Sequence, residues 1–420
     1  MLSFIKIFNL TIFLIFTGFY SYQIFYIFVT LFKKSKDFQA KKYHKYAVVI
    51  AARNESAVIA QLINSIKKQN YPQELVDIYV VADNCTDNTA EVARKAGARV
   101  FERFNRQLIG KGYALDFAFK NILKSNESYE GYFIFDADNL LDENYIREMN
   151  KVFDNGYKII TSYRNSKNYD TNWISAGYSL WFLREAKYLN HSRMILNTGC
   201  AVSGTGFMIS HDIVRKNKGW KHFLLTEDIE FTIDSALEGE KIGYCGKAVL
   251  YDEQPYLFEQ SWNQRLRWAK GFYQVFGKYG KSLIKSIFTK RSFYCYDMFV
   301  TIMPALFLSL ASAAVNISFL IAGFISIDIY PELMKQTTLA ISMSVINSYM
   351  VLFVIGLITT ISEWKNINST PLKKFKYMFS FPIFIFTYAP ISIVALFKFK
   401  EIEWKPITHS IVKTIDELQQ

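Results

Sequence analysis

Tyr132-Phe133-Ile134-Phe135-Asp136-Ala137-Asp138 is a four-residue apolar run that ends abruptly on two acids. A short run that is apolar at every position reads as a strand covered on both faces, and the change of polarity marks its carboxyl end. Two stretches upstream follow the same plan. Tyr46-Ala47-Val48-Val49-Ile50-Ala51 runs into Arg53-Asn54-Glu55-Ser56 and then into a helical pattern through Leu62, Ile63 and Ile66. Val76-Asp77-Ile78-Tyr79-Val80-Val81 runs into Asp83-Asn84 and a helix over residues 88–96. Strand, polar loop and helix in repetition predict an α/β domain with a mostly parallel sheet, here residues 44–290. Ligands of such sheets bind outside the carboxyl ends of the strands, where these acids fall.

The 420 residues hold more than this domain: 51% are hydrophobic and 17% aromatic, and the net charge is +12. The apolar excess lies at the two ends. Residues 5–32 carry one charge, Lys6, and are long enough to cross a bilayer, so residues 1–33 are expected to form a transmembrane helix. The run is too long for a cleaved leader and has no small-residue cleavage site. Lys33, Lys34, Lys36, Lys41, Lys42 and Lys45 follow at once, which by the positive-inside tendency places the α/β domain in the cytoplasm of a multi-pass cell-membrane protein. Residues 260–290 mix aromatic and basic side chains as interfacial helices do.

A membrane region is expected over residues 297–398, with spans at 297–323 and 339–361. The stretch 377–397 is broken by Pro382 and Pro390 and has basic flanks on both sides, which favours a re-entrant or interface-lying segment over a straight crossing. Residues 399–420 form a tail. The positive charge flanks apolar runs and acidic motifs, so it is read as a face toward anionic lipid and phosphate, and nucleic acid is set aside. Cys85, Cys200, Cys245, Cys295 and five histidines show neither metal-ligand spacing nor a disulfide framework.

Six motifs can carry chemistry, and most have a plainer reading. Asp136 and Asp138 can turn toward one divalent ion, a hard cation that takes oxygen ligands, although two acids in a turn are more often solvated surface. Asp83, also at a strand end, can accept hydrogen bonds from a nucleoside, whereas Asp87-Asn88-Thr89 read as helix capping. Lys111 beside Gly112 suits a donor phosphate, or is a solvated lysine. Thr226-Glu227-Asp228 opens a helix: acids there complement the helix dipole, or Asp228 serves as general base for a hydroxyl.

In Gln264-Arg265-Leu266-Arg267-Trp268, Arg267 can neutralise a diphosphate and Trp268 can stack on a sugar, with Gln264 one turn away on the same face. An interfacial helix anchored by its tryptophan is the alternative. Ser203-Gly204-Thr205-Gly206-Phe207 is a turn whose glycines allow close backbone approach to a ligand.

Taken in this order, Asp83, Asp136-Ala137-Asp138, Thr226-Glu227-Asp228 and Gln264-Arg265-Leu266-Arg267-Trp268 give a chain that resembles the membrane-integrated branch of the family 2 glycosyltransferases over residues 44–275 and most of the membrane part. The resemblance implies a GT-A fold, a UDP-sugar donor, Mg²⁺ or Mn²⁺, and inversion at the anomeric carbon. It implies that Asp83, Asp136 and Arg267 bind the donor, that Asp136 and Asp138 take the metal, and that Asp228 is the base. Gly204, Thr205, Glu227, Gln264 and Trp268 would then hold the acceptor. Trp404 and His409 lie in a segment similar to the gating segments that close over UDP in some relatives.

The expected reaction moves glucose or N-acetylglucosamine to a membrane-associated acceptor, building a β-linked surface polysaccharide. A single sugar placed on a membrane lipid is the alternative, and a non-catalytic sugar-nucleotide sensor or transporter subunit is a third reading. With fewer spans than the large synthases, an export partner, a homo-oligomer, or a lipid acceptor that needs no channel is implied.

Overall fold

The computed structural model describes residues 2–325, 331–401, 411 and 413–418. Its centre is an eight-stranded sheet: β1 (Tyr46–Ala52), β2 (Val76–Asp83), β3 (Arg99–Arg103), β4 (Gly131–Asp136), β5 (Leu140–Leu141), β6 (Ile159–Ser166), β7 (Phe207–Ser210) and β8 (Ile242–Asp252), in the order β3-β2-β1-β4-β7-β6-β8-β5. β1 runs parallel to β2 and β4, β2 to β3, and β6 to β8. β7 is antiparallel to both β4 and β6, and β5 to β8. It follows that β1–β4, β6 and β8 all point the same way, and their carboxyl ends share one edge. The expected α/β domain with a mostly parallel sheet is what forms.

Both faces of the sheet are covered, which is why its central strands are apolar without alternation. Val49, Val81 and Ile134 pack on one side against Leu115 and Phe119 of the helix Lys111–Lys124. Val48, Ile50, Val80 and Phe135 pack on the other against Leu62, Ile63 and Tyr145.

Among the described residues four helices are long and apolar enough to cross a membrane: Ser3–Phe32, Phe307–Ile325, Pro331–Ser362 and the segment Pro371–Lys398. The span predicted at 297–323 divides into Phe293–Ile302 and Pro304–Ile325. The break falls at Met303, because Pro304 has no N–H to continue the first helix and starts the second. The first helix is anchored by Asp297. Its buried carboxylate takes two hydrogen bonds from Arg193, at 2.8 and 2.6 Å, and one each from Tyr22 and Tyr26, at 2.8 and 2.7 Å. This ties the first of the two helices to the α/β domain and to the N-terminal helix.

The segment Pro371–Lys398 breaks at Thr387 into two helices, and the Arg265 guanidinium donates to the Phe384 carbonyl (3.1 Å) and the Thr387 hydroxyl (2.6 Å) at the break. Gly177 lets the helix Trp173–Arg184 pass close by, because a Cβ there would overlap the Phe384 ring. Both ends of the segment touch the α/β domain side: Lys373 reaches Asp170 at 3.1 Å, and Gln274 donates to the Phe399 carbonyl at 2.8 Å.

Candidate active site

The edge formed by the strand ends brings Asp83, Asp136 and Asp252 together with the turn 203–206 that leads into β7. The Asp136–Asn139 turn is held from below. Thr205 Oγ1 accepts from the Asp136 backbone N–H at 2.8 Å and donates to Asn139 Oδ1, while Asn139 N–H closes on the Asp136 carbonyl at 3.1 Å. Asp138 Oδ2 accepts the Glu253 backbone N–H at 2.9 Å, and the Lys167 ammonium donates to the Asp138 carbonyl. The backbone is thereby fixed, and the Asp136 side chain, 38% exposed, is left facing the cavity.

Lys111 is no solvated lysine. It pairs with Asp136 and donates to the Gly204 carbonyl at 2.8 Å. Burial alone would lower its pKa, but the charges of Asp136, Glu227 and Asp228 outweigh that and raise it. Gly112 is needed beside it because a Cβ would collide with the His222 carbonyl oxygen. Asp83 accepts from Arg103 Nη1 at 2.5 Å; burial lifts its pKa and Arg103 opposes the lift. Asp87 does cap: its Oδ1 accepts the Thr89 N–H at 3.0 Å.

Glu227 and Asp228 open the helix Glu227–Glu238, with Asp228 Oδ2 only 3.9 Å from where a Cβ on Gly204 would sit. Gly204 has φ +77°, a conformation that favours glycine. Burial, then the charge of Asp228, pushes Glu227 up to about 7. Burial also raises Asp228, against backbone hydrogen bonding from Ile229 and Gly204 and the charge of Lys111. Glu230, one turn on, is fully buried and structural: it accepts the N–H groups of Phe223 and Leu224 at 2.9 and 3.0 Å and so shapes the approach to this helix.

Gln264, Arg267 and Trp268 lie on the helix Phe258–Thr289 and line the same cavity. Trp268 meets Tyr178 and Phe182 edge-on, with centroids 5.7 and 6.1 Å away, so three aromatic rings form one wall. Gln264 Oε1 and Arg267 Nε are buried without hydrogen-bond partners among the described residues. The cavity is about 2380 Å³ and continues from the acids to between the apolar helices, where Phe13, Phe16, Leu308, Ile341, Val351 and Phe384 line it.

Thr205 needs correction as an acceptor contact: it is buried beneath the Asp136 turn, outside the cavity lining, with its hydroxyl spent on that turn. Trp404 and His409 lie outside the described residues; of the residues flanking them, the Glu401 carbonyl accepts from Lys270 at 3.3 Å and the Ile411 N–H donates to Glu253 Oε2 at 3.0 Å.

Arg164, Asp252 and Phe182 were not singled out from the sequence. Arg164 donates to Asp252 at 2.6 Å and to the Ser203 carbonyl at 2.9 Å and lies 3.7 Å over the Phe182 ring. Asp252 carried a usable signal, an acid closing the apolar run Val249-Leu250-Tyr251, the same cue that marks Asp136. Arg164 sits inside a strand and carried none.

The family model described as "Glycosyltransferase like family 2" matches residues 44–271, more than half of the chain. A beta-monoglucosyldiacylglycerol synthase of Synechocystis sp. is 23% identical over 56% of this chain and 50% of its own length. A poly-beta-1,6-N-acetyl-D-glucosamine synthase of Staphylococcus epidermidis is 23% identical over 60% of this chain and 61% of its own. The chain thus spans half to three fifths of the length of these relatives. Among solved structures, a mannosyltransferase from Pyrobaculum calidifontis, in complex with GDP-Man and Mn²⁺, superposes with a TM-score of 0.57 at 15% identity, covering 94% of this chain and 100% of that one; the GT-A fold is shared. The family match falls on the domain that carries the acids, the arginine and the aromatic wall, and this chain belongs to the glycosyltransferases of the family 2 type.

Proposed function

We propose that the protein transfers a hexose from a UDP-sugar, with inversion, to a hydroxyl of a lipid acceptor that enters from the bilayer. One observation carries the reading: a single cavity is lined by Asp136, Asp138, Asp228 and Arg267 at one end and by the apolar faces of the long helices at the other. A glycan has no use for such walls, whereas acyl chains do. The name of the Synechocystis relative, a synthase of glucosylated diacylglycerol, agrees.

In this reading Asp83 receives the nucleoside and Arg267, with its unpartnered Nε, binds the diphosphate. Asp228 takes the proton from the acceptor hydroxyl as its oxygen attacks the anomeric carbon opposite the leaving UDP. Trp268, Tyr178, Phe182 and Gln264 orient the acceptor, and Glu227 stands beside the base. Among the described residues no three His, Cys, Asp or Glu side chains gather as a protein-only metal cage. Two carboxylates facing a cavity nevertheless suit Mg²⁺ or Mn²⁺ bound together with nucleotide phosphate and water. Asp136 and Asp138 would hold that ion, which when bound neutralises charge on the leaving diphosphate.

The four apolar helices support a multi-pass protein with its α/β domain cytoplasmic. The contacts of both ends of Pro371–Lys398 with the α/β domain side support a re-entrant segment rather than a crossing. A processive β-glycan product is the second reading, favoured by the aromatic wall, which suits stacked sugars as well as a head group. Incubating the purified protein with Mn²⁺, radiolabelled UDP-glucose or UDP-N-acetylglucosamine, and membrane lipid separates them. Lipid transfer puts one sugar per lipid into the organic phase; a water-soluble polymer gives the case to the glycan, and no UDP release from either donor removes both.

A further inference from the structure

We infer that Arg184, with Trp181 and Gln23, forms a subsite for the phosphate of the acceptor's head group, so that the acceptor is an anionic phospholipid. The inference rests on the lipid-acceptor reading above and narrows it.

Arg184 closes the helix Trp173–Arg184, and the next six residues, Glu185–Asn190, form a π-helical turn, a rare feature that often marks function. Its Nη2 donates to Gln23 Oε1 of the N-terminal helix at 2.7 Å, and its guanidinium carbon lies 5.3 Å from the Trp181 ring centroid. All three side chains line the cavity. Among the described residues no carboxylate lies within ion-pair distance of Arg184. Arg193, Arg164 and Arg103 differ, being paired with Asp297, Asp252 and Asp83, whereas Arg267 resembles Arg184 in having no such ion pair among the described residues. Glu185, the neighbour in sequence, turns its carboxylate to the Ser203 hydroxyl at 3.4 Å. Burial lowers the pKa of Arg184 and the charge of Glu185 opposes it, without a direct ion pair between the two.

A guanidinium offers five N–H donors in a plane, and only one is occupied here by a neutral amide. A charge set against apolar helices without a counter-ion is costly, and a phosphate in the cavity would relieve it with paired hydrogen bonds. A neutral diacylglycerol would not. A run of contacts leads from this arginine toward the base: Glu185 touches Ser203, and Ser203 adjoins Gly204, which approaches Asp228. Arg184 and Asp228 line the same cavity, so the inference places the phosphate at the first and a hydroxyl of the same head group at the second.

The test is lipid retention by the full-length protein in detergent, read by native mass spectrometry. Phosphatidylglycerol and diacylglycerol with identical acyl chains are offered to the wild type, Arg184→Gln and Arg184→Lys, and UDP affinity is measured on the same samples. Expected are a preference for phosphatidylglycerol of about tenfold, its loss in Arg184→Gln, partial retention in Arg184→Lys, and equal UDP affinity in all three. Equal retention of the two lipids by the wild type, or an undiminished preference in Arg184→Gln, overturns the inference. Displacement of the lipid by inorganic phosphate at equal concentration also overturns it, since the site would then take the free anion. A wild type that keeps the lipid preference but binds no UDP would instead sink the transferase reading alone.

Discussion

Two clusters of charge, both at the junction of the α/β domain with the long helices, are built in opposite ways. Around Asp297 every strong group is answered: two contacts from Arg193 and two from tyrosine hydroxyls leave the carboxylate oxygens doubly occupied. Around Asp136 and Asp228 the account stays open. Asp136 is partly exposed, Gln264 Oε1 and Arg267 Nε have no partner, and Glu227 and Asp228 crowd two acids together. A closed network holds elements in place; an open one is completed by something else. That contrast separates fastening from chemistry: in the closed cluster Asp297 and Arg193 are fully buried, and the open one borders the cavity.

Substitutions in the two clusters should therefore fail differently. Asp228→Asn is expected to cut transfer by about 10²–10⁴-fold while leaving UDP affinity within a small factor, because it removes the base and little else. Turnover assays beside UDP titration check this, and retained turnover would take Asp228 out of the mechanism. Arg193→Ala should instead cost about 3–5 kcal/mol of stability by stranding Asp297, seen as a lowered unfolding temperature in detergent. An Arg193→Ala protein that unfolds like the wild type would erase the distinction. Arg267→Ala is expected to weaken UDP binding by about tenfold without lowering the unfolding temperature, the signature of an open position.

The smallest effect concerns pH. Glu227 holds its proton up to about 7 in the folded protein, well above an ordinary glutamate. The stability this gives is fully present below the ordinary glutamate pKa and is lost as pH rises through about 7. Thermal unfolding followed from pH 4.5 to 8 should show that decline, flattened in Glu227→Gln; identical slopes would mean the carboxyl is not so placed.

How much of this was legible from residues alone depends on what local pattern encodes. Strands that end on acids announce themselves, and so Asp83, Asp136 and the sheet's polarity were readable. Helix periodicity does not say what an arginine holds: Arg265 and Arg267 both border the cavity, yet the first is buried and pins the break at Thr387, and the second keeps an unpartnered Nε. Thr205 looked like ligand-facing turn chemistry because nothing local shows that its hydroxyl supports Asp136 from beneath. Asp297 was lost inside an apolar average, since nothing local shows that Arg193 and two tyrosines gather on it. Arg184 was invisible for a related reason: its significance is that, among the described residues, its partner is a neutral amide and not a carboxylate, a fact of three dimensions.

The most direct measurement is a structure of the protein with UDP and Mn²⁺, using the anomalous signal of the metal. The account predicts the metal between the carboxylates of Asp136 and Asp138, the uracil beside Asp83, the diphosphate reaching Arg267, and Asp228 facing the position that the anomeric carbon would take. Nucleotide bound away from that edge of the sheet, or a metal that avoids both aspartates, would contradict it.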